Sequence, residues 1–134
     1  NEIDYNLINK LIDCVQLTDL LKSLPDGVFT NIGENGTKLS GGQCQRIGIA
    51  RALYLQPSLL IFDEATNALD SNTEKQIIES IKKYTNHSIT IIIITHRLSS
   101  ISLCDKVLIL NKDNVLSVDK NEITSELLEN SLKK

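Results

Sequence analysis

The chain has 134 residues, of which 41% are hydrophobic and 23% charged, and carries a formal net charge of -3. This is enough chain and enough apolar content for one ordinary domain with its own core, which excludes a disordered segment. Slight acidity without a long Lys/Arg cluster excludes a dedicated nucleic-acid surface, because backbone phosphates are held by concentrated positive charge.

Leu7, Ile8, Leu11, Ile12 and Val15 recur at helical spacing and predict a first helix. A second, short helix is expected from Thr18 to Ser23, ahead of the turn signal "PDG" at Pro25. "TNIGENG", residues 30 to 36, has too many turn formers for either periodic class and reads as a loop. The next helix starts at Ser40, where Gln43 completes an S-x-x-Q capping box, and runs through Ile47, Ala50 and Leu53 until Pro57 stops it.

"SLLIF" and "SITIIIIT" are continuously apolar and rich in branched residues, the pattern of strands covered on both faces. Between them, Ser71 and Glu74 form a second capping box, and Ile77, Ile78 and Ile81 line one face of a helix. Strand, helix, strand in this order is a parallel βαβ unit. "KVLILN", the polar "KDN" and "VLSV" predict an antiparallel hairpin, followed by a last helix from roughly Glu122 to Leu132.

The three cysteines, Cys14, Cys44 and Cys104, are odd in number and far apart, which suits a reducing, cytosolic setting better than a disulfide framework or a zinc site. The longest apolar run, within "ITIIIIT", is too short for a bilayer, and no leader pattern is present, so the piece is expected to be soluble by itself. The chain begins with Asn and contains no Met, as expected of a piece of a longer translation product.

In a parallel βαβ unit the C-terminal ends of both strands lie on one edge of the sheet, where open α/β folds place their ligands. Asp63, Glu64 and His96 fall on that edge. Strand side chains alternate between faces, so Asp63 and Glu64 are expected to divide the labour rather than chelate one atom. Asp63 suits Mg²⁺, which needs only one or two carboxylates beside substrate phosphates, and Glu64 is then free to deprotonate an attacking water. Adjacent acids also simply cap strands in solvent, and a lone His at a strand end, such as His96, is also a common structural residue. "SGGQ" is explained in part by its cap, but each glycine costs on the order of 1 kcal/mol of helix propensity relative to Ala. Bare backbone at a helix start lets an anion approach the N–H groups. The lysine-bearing phosphate loop G-x-x-x-x-G-K-[ST] occurs nowhere in these residues; "GTKLSGGQ" has its glycine spacing but not its Lys or Ser/Thr.

In order, "LSGGQ" (Leu39 to Gln43), "LLIFDE" (Leu59 to Glu64), "NALD" (Asn67 to Asp70) and "TH" (Thr95, His96) resemble the nucleotide-binding domain of ATP-binding cassette (ABC) proteins. They look like that family's signature, Walker B, D-loop and switch-histidine elements, and the similarity runs from about Thr30 to at least Lys112. "TNIGENG" resembles the T-x-x-G-E-x-G loop of exporter-type cassettes, which faces the coupling helices of the membrane domain.

The fold this resemblance implies is α/β, a partial P-loop NTPase of the ABC ATPase type. Residues 1–57 would be the helical subdomain and 58–134 the C-terminal part of the parallel-sheet core, with a terminal hairpin and helix. The function it implies is ATP hydrolysis coupled to export, on the cytoplasmic face of the plasma (inner) membrane. Its partners would be a transmembrane domain and a second cassette in a head-to-tail dimer, with no nucleic acid. Ser40, Gly41, Gly42 and Gln43 would contact the γ-phosphate of the opposite cassette's ATP. Asp63 would sit at Mg²⁺ through water, Glu64 would be the catalytic base, Asp70 would communicate across the dimer, and His96 would hold the γ-phosphate.

Cys44 stands where the family often has a basic residue, and Asn67 where Ser is common. Because the phosphate loop, the adenine-stacking aromatic residue and the glutamine loop are expected before residue 1, the 134-residue chain alone is expected to bind ATP weakly or not at all and not to turn it over. It is also expected to be marginal or self-associating when isolated. Two alternatives stand beside the exporter: a truncated, non-catalytic cassette that regulates or pairs with a complete one, and a chromosome-maintenance or DNA-repair ATPase. The latter shares the signature but places long coiled coils before it, unlike the short helices here. The transported substrate is not written in these motifs.

Overall fold

A computed structural model describes residues 2–33, 38–86, 88–95, 97–110, 114–119 and 123. The chain divides after Ile94 into two compact units.

In the first unit, α1 (Tyr5–Cys14) starts at Asp4, whose carboxylate accepts from Leu7 N. It stops at Gln16, whose left-handed backbone (φ 57°) turns the chain. Gln16 N then donates to Asp13 O and Leu17 N to Ile12 O, both at 2.9 Å, satisfying carbonyls that the helix end would orphan. Helix α2 (Thr18–Ser23) follows with the predicted bounds, and a 3-10 turn at Gly27–Phe29 follows in turn. Helix α3 (Gly41–Tyr54) begins with the predicted box, Ser40 and Gln43 each accepting from the other's backbone. It ends before Pro57, with Gln56 at φ 50° closing it.

Strand β1 (Leu59–Asp63), helix α4 (Ser71–Tyr84) and strand β2 (Thr90–Ile94) form the expected unit, with β1 and β2 parallel and in register from Leu59 opposite Thr90 to Asp63 opposite Ile94. Helix α1 packs against both α3 and α4. The buried side chains come from α1 and the turn after it, α3, β1 and α4: Leu11, Val15 and Leu17, Ile49 and Leu53, Leu60 and Phe62, Ile77, Ile78 and Ile81. Each is worth about 1.5–3 kcal/mol of burial, and together they are what the helices and strands close upon.

The capping expectation for α4 is corrected. The cap of α4 is Asp70, not Ser71, and Glu74 turns inward to accept from the Thr66 hydroxyl at 2.6 Å. A carboxylate that already caps the helix one residue earlier leaves the Ser71 box nothing to do. The strands expose one apolar face, the feature behind the expectation that the isolated piece is marginal or self-associating: Leu60 and Phe62 are 6% and 2% exposed, but Leu59 and Ile61 are 46% and 53% exposed. The alternate residues of β2, Ile92 and Ile94, are 44% and 51% exposed. The branched apolar sequence provides for two packed faces, and the described part of this chain supplies a cover for one.

The second unit contains a short helix α5 (Leu98–Ile101) and the expected antiparallel hairpin of β3 (Val107–Leu110) and β4 (Val115–Val118), with Val107 opposite Val118. Lys112 and Asp113 of the "KDN" turn, His96, and all but residue 123 of the helix expected at 122–132 lie outside the described residues.

Candidate functional site

The start of α3 is capped by neutral groups. Gln43 N donates to Ser40 Oγ at 3.2 Å, and Ser40 N donates to Gln43 Oε1 at 2.8 Å. Because neither group is charged, the partial positive charge of the helix start is left uncancelled, which favours an approaching anion. The glycines between them differ. A Cβ on Gly41 would meet Ala68 Cβ at an ordinary 3.6 Å, whereas one on Gly42 would lie 3.1 Å from the Ala68 carbonyl oxygen and 3.3 Å from Leu69 Cδ2. Gly42 is therefore bare for packing, a reason additional to anion access.

At the end of β1, Asp63 lies opposite the last residue of β2, at the carboxyl edge of the sheet. Glu64 donates its N–H to Ile94 O at 3.2 Å, as a continuation of the ladder would, but its own φ is +50°. The alternation of strand faces thus ends at Asp63, and what separates Asp63 from Glu64 is a left-handed turn rather than the pleat. That conformation costs a residue with a Cβ about 1–2 kcal/mol. Asn67 holds it twice: its N–H donates to Glu64 O and its Nδ2 to Glu64 Oε2, each at 3.1 Å.

Below the turn, Leu69 N donates to Thr66 O at 2.9 Å, and buried Thr66 is tied to buried Glu74 of α4. At its end, Asp70 accepts from Asn72 N, Thr73 N and the Thr73 hydroxyl at 3.1, 3.0 and 2.6 Å. The Thr73 hydroxyl bond first, and then the Thr73 N–H, hold the Asp70 carboxyl below its ordinary value.

Ser40 to Gln43 and the turn from Glu64 to Asp70 are brought together. Besides the contact at Gly42, Ala68 N donates to Gln45 Oε1 at 3.0 Å. Arg46, next along α3, donates to Gly42 O at 3.3 Å and to Gln16 O at 2.9 Å, linking the glycine start to the end of α1. The contacts of Gln45, Arg46 and Thr66 are not apparent in the sequence, where each is an ordinary polar residue, and those of Asn67 and Glu74 differ from the D-loop and capping-box readings given to them. The one signal was position: Gln45 and Arg46 lie one turn past the glycines, and Asn67 three residues past Glu64.

Among the described residues no group of three or more His, Cys, Asp or Glu could hold a metal ion. A single carboxylate beside phosphate oxygens is nevertheless the donor set Mg²⁺ accepts, and exposed Asp63 fits it. A cavity of about 490 Å³ lies among α1, α2 and α3, lined by residues such as Leu11, Leu20, Ile47 and Ala50. It includes none of the candidate residues, and its lining is mostly aliphatic, with Thr30, Arg51 and Tyr54 as its polar side chains. No helix among the described residues is long and apolar enough to cross a membrane.

Residues 6–67 match the family model described as "ABC transporter". The chain is 44% identical over 116 residues to the ATP-dependent lipid A-core flippase of Ralstonia nicotianae, covering 87% of this chain and 19% of that protein. It is 46% identical over 109 residues to the mitochondrial iron-sulfur clusters transporter ATM1 of Debaryomyces hansenii, covering 81% of this chain and 16% of that protein. In three dimensions it is similar to a bacterial Atm1-family ABC exporter solved with ATP bound, with a TM-score of 0.82 and 31% identity, covering all of this chain and 24% of that one. The chain thus spans about a fifth of the length of the curated relatives it matches.

Proposed function

Since the chain belongs to the ABC transporter family and has the fold of part of its ATPase domain, we propose that it supplies the signature and the catalytic carboxylate of an exporter's ATPase. The complete assembly would couple ATP hydrolysis to export of a substrate, with this part at the cytoplasmic face of the membrane. It would act in a head-to-tail pair with a second cassette and against a transmembrane domain.

The observation that carries this reading is the joint between the neutral start of α3 and the turn bearing Glu64, through Gly42 and Ala68. This close approach sets a helix start suited to an anion beside the turn that carries the candidate base. The N–H groups after Ser40, with the Gln43 side chain, would bind the γ-phosphate of the ATP held by the opposite cassette. Asp63 would hold Mg²⁺ through a water molecule, and bound Mg²⁺ supplies charge neutralisation at the phosphate oxygens. Glu64 would accept the proton of the attacking water. His96 would contact the γ-phosphate and Asp70 would communicate across the pair; both roles rest on the family resemblance.

The test is ATP turnover by the transporter that carries this cassette, with and without Glu64→Gln. A general base typically contributes 10²- to 10⁴-fold, so the variant should lose about that much turnover while still binding ATP. Full turnover in Glu64→Gln would overturn the assignment. The 134-residue chain by itself, having no G-x-x-x-x-G-K-[ST] loop among its residues, should not turn ATP over.

A further inference from the structure

We propose that Gln45 is a positioning residue for hydrolysis, tying the signature helix to the turn that carries Glu64 so that the two move as one; this rests on the reading of Glu64 as the base. In the turn after β1, Asn67 N donates to Glu64 O and Leu69 N to Thr66 O, both within the turn. The intervening Ala68 N–H points out of the turn and donates to Gln45 Oε1 on α3 at 3.0 Å. A Cβ on Gly42 would approach the carbonyl oxygen of the same residue to 3.1 Å.

Gly42 and Gln45 are three residues apart and therefore neighbours on one face of α3. That face meets Ala68 at both of its backbone polar groups, with a hydrogen bond at the N–H and no room for a side chain on Gly42 at the carbonyl. Its neighbour Asn67 donates to the Glu64 carboxylate, so the path from the anion-binding helix start to the base is Gln45, Ala68, Asn67, Glu64, with a hydrogen bond at each end. A shift of α3 on binding phosphate would be passed to the Glu64 side chain. Without the Gln45 acceptor, the turn would still be anchored at Thr66 but would be free to move relative to α3.

Gln45→Leu removes the acceptor at similar size, and Gln45→Glu keeps an oxygen where Oε1 lies. In the transporter carrying this cassette, Gln45→Leu should lower kcat for ATP hydrolysis at least ten-fold and change KM for ATP less than two-fold. Amide hydrogen exchange at Ala68 should quicken about ten-fold in Gln45→Leu and stay at the wild-type rate in Gln45→Glu. Wild-type kcat in Gln45→Leu overturns the proposal, as does a slowed enzyme whose Ala68 exchange is unchanged. Glu64→Gln, run alongside, separates the two ideas. If it kept full turnover, the base assignment would fall first, and the Gln45 tie would then stand or fall on Ala68 exchange alone.

Discussion

Two helices in the first unit begin beside the turn that follows β1, and they begin in opposite ways. Helix α3 starts at Ser40 with a reciprocal box of neutral groups, and helix α4 starts at Asp70 with a carboxylate that accepts three hydrogen bonds. The N-terminal end of every helix carries unsatisfied N–H groups and partial positive charge. At α4 the chain fills that demand with its own anion. At α3 it satisfies only the cap bonds, keeps the next two residues free of side chains, and leaves the charge for something else to meet. The difference separates a helix start closed by its own carboxylate from one closed by neutral groups alone, although both read in sequence as a polar cap followed by a helix.

The sharpest way to break this comparison is to fill the glycines. Gly42→Ala would push a methyl group to 3.1 Å from a backbone oxygen whose own N–H is held by Gln45. Overpacking of this kind costs about 1–3 kcal/mol, and thermal unfolding should show the loss. Gly41→Ala meets only an ordinary contact at 3.6 Å and gains helix propensity, so it should be neutral or stabilising by up to about 1 kcal/mol. Equal effects at the two positions would mean that neither glycine is there for packing. Next in size are the caps themselves. Ser40→Ala should cost about 1 kcal/mol, and Asp70→Ala should lower the melting temperature further because three hydrogen bonds are lost rather than one side-chain cap bond. The reverse order would show that the neutral box carries more of the fold than the carboxylate.

Local patterns were legible and long-range ones were not. The bounds of α2, the Ser40–Gln43 box, the βαβ unit and the hairpin all follow from signals spanning fewer than about a dozen neighbours. The misassigned box at Ser71 shows the limit. S-x-x-E describes it as well as S-x-x-Q describes Ser40, but Asp70 caps one residue earlier and Thr66 draws Glu74 into the interior. Nothing in the spacing ranks those competing partners. The same holds at Glu64, where the strand rule was applied one residue too far. The left-handed turn there is enforced by Asn67, and by Ala68 pinned to a helix 23 residues earlier in the chain. The bare face of β1 and β2 was legible only in part: the residues are apolar as read, but whether a cover is present depends on chain that pattern alone does not locate.

The smallest predicted effect tests charge directly, because only one of the two caps titrates. The Thr73 hydroxyl, and then backbone N–H groups, bond to the ionised Asp70 carboxyl and hold it below its ordinary value of 3.8. A depressed folded value means that the ionised form favours the folded chain. That contribution is fully present above the unfolded value and is lost as pH falls below 3.8 through the folded one. Asp70→Asn keeps an oxygen for the N–H donors but has no charge, so its stability deficit relative to wild type should be constant near neutral pH and shrink below about pH 4. The deficit of Ser40→Ala should stay level through the same range, since neither Ser nor Gln titrates. Other carboxylates titrate alike in each variant and its parent and cancel in the difference. If the Asp70→Asn deficit held constant down to pH 3, the charge would be contributing nothing at α4, and the contrast with the uncharged start of α3 would reduce to hydrogen-bond count. If it shrinks, α4 carries its own anion at its start, which the neutral box at Ser40 does not.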